Sequence, residues 1–539
     1  MRVRGRRGVL LLALILLLVA AGVVTAVLVR GTGTEQRLVQ EARTLRADVR
    51  RAKHLRLRLA RVFPTRRPAA QRRLERETLN EAEPPTPQST GSALVNSASQ
   101  PQTNPAAISR APRPNDFALF QRSLVSIGSA SFTAEPSVAA KGGRILETWN
   151  WGAALSTHGG RSFSFVDPET RFPSAHDGFC CDQLALYAGP SDLWLWLLQY
   201  SGDATGNILR LATARGDAAF DSGSFSYFDF APTTFGLGQS VSFDFNGLAT
   251  TTRNLFVSTN VFGESGYART LVFRVPLADV VAGRIDLSHV QYMSEDLGTA
   301  RLTSGATDTM YFASHVDRSH LRIWSWPDES DSVSHVDVAH AGYAHPERYH
   351  CARTRGSATS DWCLGKRKGD FKNDDRPLAG WVSNGRVGFA WNAPQDPASG
   401  FPYPFVMAVE VDQSSMRLVG EPFIWSRKAA YQYAAIAPDA RGDLGGMVLR
   451  GGGAGFESCV ALVRDPFSTR SASGWEAHVV AASTVDPAEP RAGDYLGVAL
   501  AGPGSNSWIG SCMTVGGRGN REDVSVRYFS FGRNGDAPG

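Results

Sequence analysis

The stretch "CDQLALYAGPSDLWLWLLQY", Cys181–Tyr200, decides the fold. A polar pair, Asp182-Gln183, opens a short apolar run. A Gly-Pro-Ser-Asp cluster then marks a turn. An aromatic-rich run follows, in which Trp194 and Trp196 alternate with leucines. Spacing of two puts both indoles on one strand face and the leucines on the other, so this strand needs cover on both sides.

The same phrase recurs along the chain. It appears as Glu135–Asn150, Cys181–Tyr200, Gln239–Phe262, Ala300–Val316, Asp375–Ala393, Tyr431–Gly451 and Gly493–Val515. Each interval is long enough for four strands and their loops. From Asp116 onward no long amphipathic helix intervenes. Repeated all-β units of this length indicate a β-propeller, because a blade cannot bury both faces alone and a ring of blades can. The expectation is an all-β, seven-bladed propeller over residues 116–539, with six blades as the alternative. Closure is expected from Leu119–Ile127 sharing a blade with the final strand, Asp523–Phe531.

The 539 residues carry a net charge of +5, but the arginines crowd between Arg2 and Arg76. The body is close to neutral, which argues against a nucleic-acid partner. Residues 1–7 are basic, and residues 8–29 contain no charge. At helical rise that apolar run spans roughly 33 Å, enough for a bilayer core, and is longer than the core of most cleaved signals. It is expected to be a single-pass anchor with the body on the extracytoplasmic side. Residues 30–80 are expected to form a basic helical stalk. Within it Leu38, Ala42, Leu45, Val49 and Ala52 follow steps of four and three, a short coiled-coil seam compatible with weak self-association. Residues 81–115, rich in Pro, Ser and Gln, are expected to be a disordered linker.

Ser156–Phe163, "STHGGRSF", has the outline of a tight-turn motif, Ser-x-Asp-x-Gly-x-Thr-Trp. Ser156, Gly160, Ser162 and Phe163 stand in register, and His158 replaces the acid. "EPSVA", Glu135–Ala139, looks like the opening of sialidase-type blades. On these residues the body resembles the sialidase/BNR (Asp-box) β-propeller superfamily, in particular its membrane-anchored bacterial members. The resemblance implies a propeller whose Asp-boxes lie on the blade periphery, away from the active centre. The family's sialidases also use a Phe/Tyr-Arg-Ile-Pro motif, an arginine triad, a Tyr/Glu nucleophile pair and an acid. Phe273-Arg274-Val275-Pro276 imitates the first, but follows the box by over a hundred residues where the family places it before. No catalytic residue is transferred from the family.

In a propeller the polar residues that open each phrase gather around one end of the central channel. The ligand-binding candidates are therefore Glu135, Asp182, Gln183, Asp375, Arg376, Tyr431, Tyr433, Asp494 and Tyr495. Asp182, Asp375, Arg376, Asp494 and Tyr495 are the candidates for acid–base work, should the mouth be catalytic. The expected function is binding of a glycan, polymer or protein at that mouth. The alternatives are an exo-acting glycoside hydrolase of sialidase type and a structural envelope scaffold. No cofactor and no metal are expected; a loop gathering His335, His340, His345 and His350 with Asp337 on a metal is the weaker reading. The tryptophans, Trp194 and Trp196 among them, are expected mainly between blades. Cys351–Cys363 and Cys459–Cys512 are expected disulfides, and Cys180-Cys181 either a vicinal bridge or two thiols. An even number of cysteines fits an oxidising compartment.

Overall fold

The computed structural model describes residues 38–61, 102–103, 113–130, 133–203, 205–343, 349, 351, 375–453, 455–468, 474–487 and 493–537. The expected anchor over 8–29, most of the linker, and Cys363 lie outside them. Among the described residues no helix is long and apolar enough to cross a membrane.

The described strands form seven antiparallel blades of four core strands each. Their innermost strands are Ser137–Lys141, Phe179–Ala188, Ser242–Thr250, Arg301–Leu302, Pro377–Ser383, Ala430–Pro438 and Gly497–Leu500. Each touches the next, and Gly497–Leu500 returns to Ser137–Lys141, so the ring closes. Within a blade the strands follow in sequence from the channel to the rim. Blade 7 is the exception: its outermost strand is Phe117–Ile127, paired antiparallel with Val524–Arg533. The two ends of the propeller sequence thus share one sheet, as the alternation of both segments implies.

The alternating pattern explains the packing. Trp194 and Trp196 face blade 1, while Leu193, Leu195 and Leu197 face blade 3. Seven apolar clusters fill the seven gaps between adjacent blades. Trp149, Trp194, Trp196, Trp324, Trp326, Trp381 and Trp391 are all fully buried there. Small residues keep the inner strands close. A Cβ on Gly380 would stand 2.8 Å from the Leu302 carbonyl of blade 4, and one on Gly497 3.1 Å from Ser137 Cα of blade 1.

The described part of the basic segment, residues 38–61, is not a helix. Leu38–Glu41 pairs with the outer strand of blade 4 and Arg43–Thr44 with that of blade 3. Val49–Arg51 pairs with Arg284–Asp286, Lys53–Arg56 with the outer strand of blade 2, and Ala60 bridges Phe165 of blade 1. Residues 38–61 therefore wrap four blades as an extended strap, which corrects both the helical stalk and its coiled-coil seam. The reason is tertiary. Outer strands offer unpaired N–H and C=O groups, and the strap satisfies them. Its leucines and alanines enter the gaps: Leu57 is buried between blades 1 and 2, and Leu45 and Ala52 pack between blades 2 and 3. In the expected linker, Gln102–Thr103 pairs parallel with Glu476–Ala477 of blade 6.

Cys459 of blade 6 and Cys512 of blade 7 are bridged, with Cα atoms 6.0 Å apart. Cys180 and Cys181 form a vicinal disulfide, and Cys351 is also disulfide-bonded.

Candidate functional site at the channel mouth

The inner strands begin at one end of the channel, and at that end the backbone is unusual. Glu135, Cys181, Phe245 and Tyr433 have φ of 45°, 51°, 51° and 59°. These are left-handed values that glycine adopts freely and other residues rarely do. They fall in blades 1, 2, 3 and 6, and three of them lie where the inner strand bulges: between Phe179 and Gln183, Asp244 and Gly247, and Gln432 and Ala435. An inner strand of regular pleat would send alternate side chains into the blade gaps. The bulge re-aims one or two of them at the axis. The vicinal disulfide is part of this device, since it joins the left-handed Cys181 to its neighbour directly before Asp182.

Glu135, Asp182 and Asp494 converge there, each presenting an oxygen within 4.8 Å of the others. Glu135 Oε1 accepts from the Asp494 backbone N–H at 3.0 Å and from Thr133 Oγ1 at 3.2 Å. Its Oε2 accepts from Asn150 Nδ2. The Tyr495 hydroxyl donates to Asp182 Oδ2. Arg376 Nη2 donates to Asp494 Oδ1 at 2.9 Å, and its guanidinium lies 3.6 Å from the centre of the Phe245 ring. Arg301 donates to the Leu378 carbonyl at 2.6 Å, between the rings of Phe245 and Tyr495. Phe245, Leu378 and Tyr495, with Tyr433 against them, form an apolar plug under this polar group. Below the plug the channel encloses a cavity of about 200 Å³ lined by Ala249, Ala379, Ala435 and Ala499 among others.

Five of the nine candidates thus meet directly: Glu135, Asp182, Arg376, Asp494 and Tyr495. Tyr433 joins them through the plug. Asp375 lies beside Arg376, but its carboxylate accepts from the Tyr343 hydroxyl at 2.8 Å. Burial, with the Asp375 charge beside it, pushes that phenol well above its ordinary range. The Asp375 carbonyl accepts from His315 Nε2 at 2.8 Å, so the proton sits on Nε2. Gln183 is structural: its amide donates to the carbonyls of Trp149 and Gly152, and Trp196 Nε1 donates to it at 2.9 Å. Tyr431 is buried between blades 5 and 6, where desolvation raises its pKa. Phe245 and Arg301 are the mouth residues that the sequence reading did not name. They come from the inner strands of blades 3 and 4, within recurring phrases whose local pattern does not set them apart.

The three carboxylates are hard oxygen donors of the kind divalent cations take. Arg376, Tyr495, Thr133 and Asn150 already donate to them, so the group is satisfied without an ion. The histidine cluster does not assemble among the described residues: His335 packs on Trp324, and His340 on Trp391. His345 and His350 lie outside the described residues. Arg274 serves the rim of blade 3, donating to Gln291 Oε1 and to the carbonyls of Pro327 and Ser330. The Ser156–Phe163 turn is a hairpin between the third and outermost strands of blade 1. Ser156 Oγ accepts from the His158 and Gly160 N–H groups, both at 3.1 Å, and Phe163 packs edge-on against Tyr528. The serine therefore does the capping, and the histidine is not needed for it.

No family model matches this sequence, and no curated protein matches it. Solved β-propellers are similar to it in structure. A GH93 α-L-arabinofuranosidase of Fusarium graminearum, in complex with arabinobiose, has 11% identity and a TM-score of 0.36 over 77% of this chain and 98% of its own. A Trypanosoma rangeli sialidase in complex with sialic acid has 8% identity and a TM-score of 0.33 over 70% of this chain and 59% of its own. A subtype N10 neuraminidase-like protein of A/little yellow-shouldered bat/Guatemala/060/2010 has 8% identity and a TM-score of 0.30, covering 62% of this chain and 95% of its own.

Proposed function

We propose that the channel mouth binds a hydroxyl-rich, sugar-like ligand, and that the propeller presents this site from a membrane anchor on the extracytoplasmic side. One observation carries the reading. Glu135, Asp182 and Asp494, from blades 1, 2 and 7, meet Arg376 of blade 5 over an aromatic floor. Carboxylates accept from vicinal hydroxyls, a guanidinium donates to ring or carboxyl oxygens, and aromatic faces take the apolar side of a sugar ring. The anchor reading is supported by the uncharged run 8–29, and the compartment by paired cysteines.

A second reading is hydrolysis of a glycoside. Its support is the spacing of the acids, whose oxygens lie within 4.8 Å of one another. Two carboxyl groups side by side are what glycoside hydrolysis by paired acids requires. The Tyr495–Asp182 contact adds a hydroxyl already partnered by a carboxylate. Glycan-array binding by the full chain, with Asp494→Asn as control, tests the first reading. Fluorogenic sialosides and related glycosides test the second. Binding without turnover favours a receptor, and turnover abolished by Asp182→Asn favours the hydrolase. No retained glycan and no turnover would end both.

A further inference from the structure

The strap has a side. Inner strands start at the mouth, so by antiparallel alternation each outermost strand starts at the opposite end of the channel. The strap pairs with those starting residues: Glu41 with Ser332, Thr44 with Gln291, and Arg56 with Ser224. It therefore runs along the rim furthest from Glu135, Asp182 and Asp494. Residues 38–61 contain eight Lys and Arg against two acids. Arg43, Arg46, Arg51, Lys53, Arg56, Arg58 and Arg61 are exposed, while Leu45, Ala52, Leu55 and Leu57 between them pack against the blades. Among the described residues none of these seven has an ion-pair partner. The cations of the neighbouring loops differ: Lys141, Arg144 and Arg441 are held by Asp192, Asp217, Asp221 and Asp536. Exposed apolar side chains share this end. Val49 is 39% exposed on the strap, Val419 48% at the rim of blade 5, and Phe467 46% beyond the third strand of blade 6.

We infer that this rim docks on an anionic phospholipid surface and so points the mouth away from the bilayer. The inference rests on the anchor reading above. Residues 30–37 separate the apolar run from Leu38, and a chain of that length reaches at most about 30 Å. The rim of blade 4 is thereby kept within reach of the headgroups, where the exposed arginines and Lys53 find opposite charge and exposed apolar residues meet the interface.

The full chain, reconstituted in nanodiscs of phosphatidylcholine alone or mixed with phosphatidylglycerol, tests this by hydrogen exchange. Amides of residues 43–61 should exchange at least about tenfold more slowly in the anionic discs, and high salt should remove the difference. A quadruple variant, R43E/R46E/R51E/R56E, should behave alike in both. The salt titration uses the unaltered chain, so the test stands even if the variant folds poorly. Equal exchange in the two lipids overturns the inference. If the chain does not insert at all, the anchor reading fails instead. Flotation of the soluble chain with phosphatidylglycerol vesicles then decides: binding that salt reverses keeps the basic rim as a lipid surface, and no binding removes it.

Discussion

The Tyr495 hydroxyl donates to the Asp182 carboxylate across the mouth, tying blade 7 to blade 2 past the intervening blade 1. Both side chains are nearly buried, at 4% and 7% exposure. The bond spans 313 residues of sequence, and only a closed ring brings its partners together.

Removing that hydroxyl separates structure from binding. Tyr495→Phe leaves a buried carboxylate one donor short, at a cost of about 1 to 3 kcal/mol in chemical denaturation. Asp182→Asn retains a neutral acceptor for the hydroxyl, so stability should change less while glycan retention falls at least roughly tenfold. Equal retention by Asp182→Asn and the unaltered chain would remove Asp182 from the site.

Arg533 holds the rim of blades 6 and 7. It pairs with Asp465 at 2.6 Å and Glu476 at 3.0 Å, and both it and Asp465 are almost wholly buried. Arg533→Met strands the Asp465 charge, and should cost about 3 to 5 kcal/mol. A double variant that also replaces Asp465 with Asn should recover part of the loss, as a double-mutant cycle will measure.

Two buried groups give stability opposite pH dependences. Burial pushes His315 down from 6.5 to about 4. Its folded pKa is depressed, so the contribution of the neutral ring is present above pH 6.5 and is lost as pH falls through about 4. Burial, with Asp486 nearby, raises Glu457 from 4.5 to about 8. Its contribution is present below pH 4.5 and is lost as pH rises through about 8. Denaturation midpoints measured against pH should therefore show Glu457→Gln gaining on the unaltered chain from pH 4.5 to 8, by roughly 2 kcal/mol or more at the upper end. Parallel curves would show that Glu457 ionises freely in the folded state.

The Cys459–Cys512 bridge closes a loop across two blades. Loop entropy assigns it about 4 kcal/mol, so the double alanine variant should unfold at clearly lower denaturant concentration. The mouth should be unaffected, because this bridge lies between the blades.

Gly380→Val probes the inner ring. A Cβ there already meets the Leu302 carbonyl at 2.8 Å, and β-branching adds bulk that two inner strands cannot accept. The expected cost is about 1 to 3 kcal/mol or more, read by thermal unfolding.

Much of the propeller was legible because its signals are local and repeated. The Leu-Trp alternation at 193–198 implies two buried faces whatever surrounds it, and the phrase positions place Glu135, Asp182, Arg376, Asp494 and Tyr495 at one end of the ring. Gln183 and Tyr431 share those positions and yet turn into the blades, since one-residue steps along a bulged strand reverse direction. Phe245 and Arg301 carry no distinguishing local pattern.

The blades, a preference for seven over six and the closing strand could be read from the sequence, because strand period and turn chemistry act within a few residues. The tertiary structure alone decided the course of residues 38–61. Steps of three and four fit a helix as readily as they fit the spacing between blade gaps, and the choice fell to unpaired strand edges that exist only once the ring has formed. It also decided which polar side chains face the axis, because that depends on where each inner strand bulges against its neighbour.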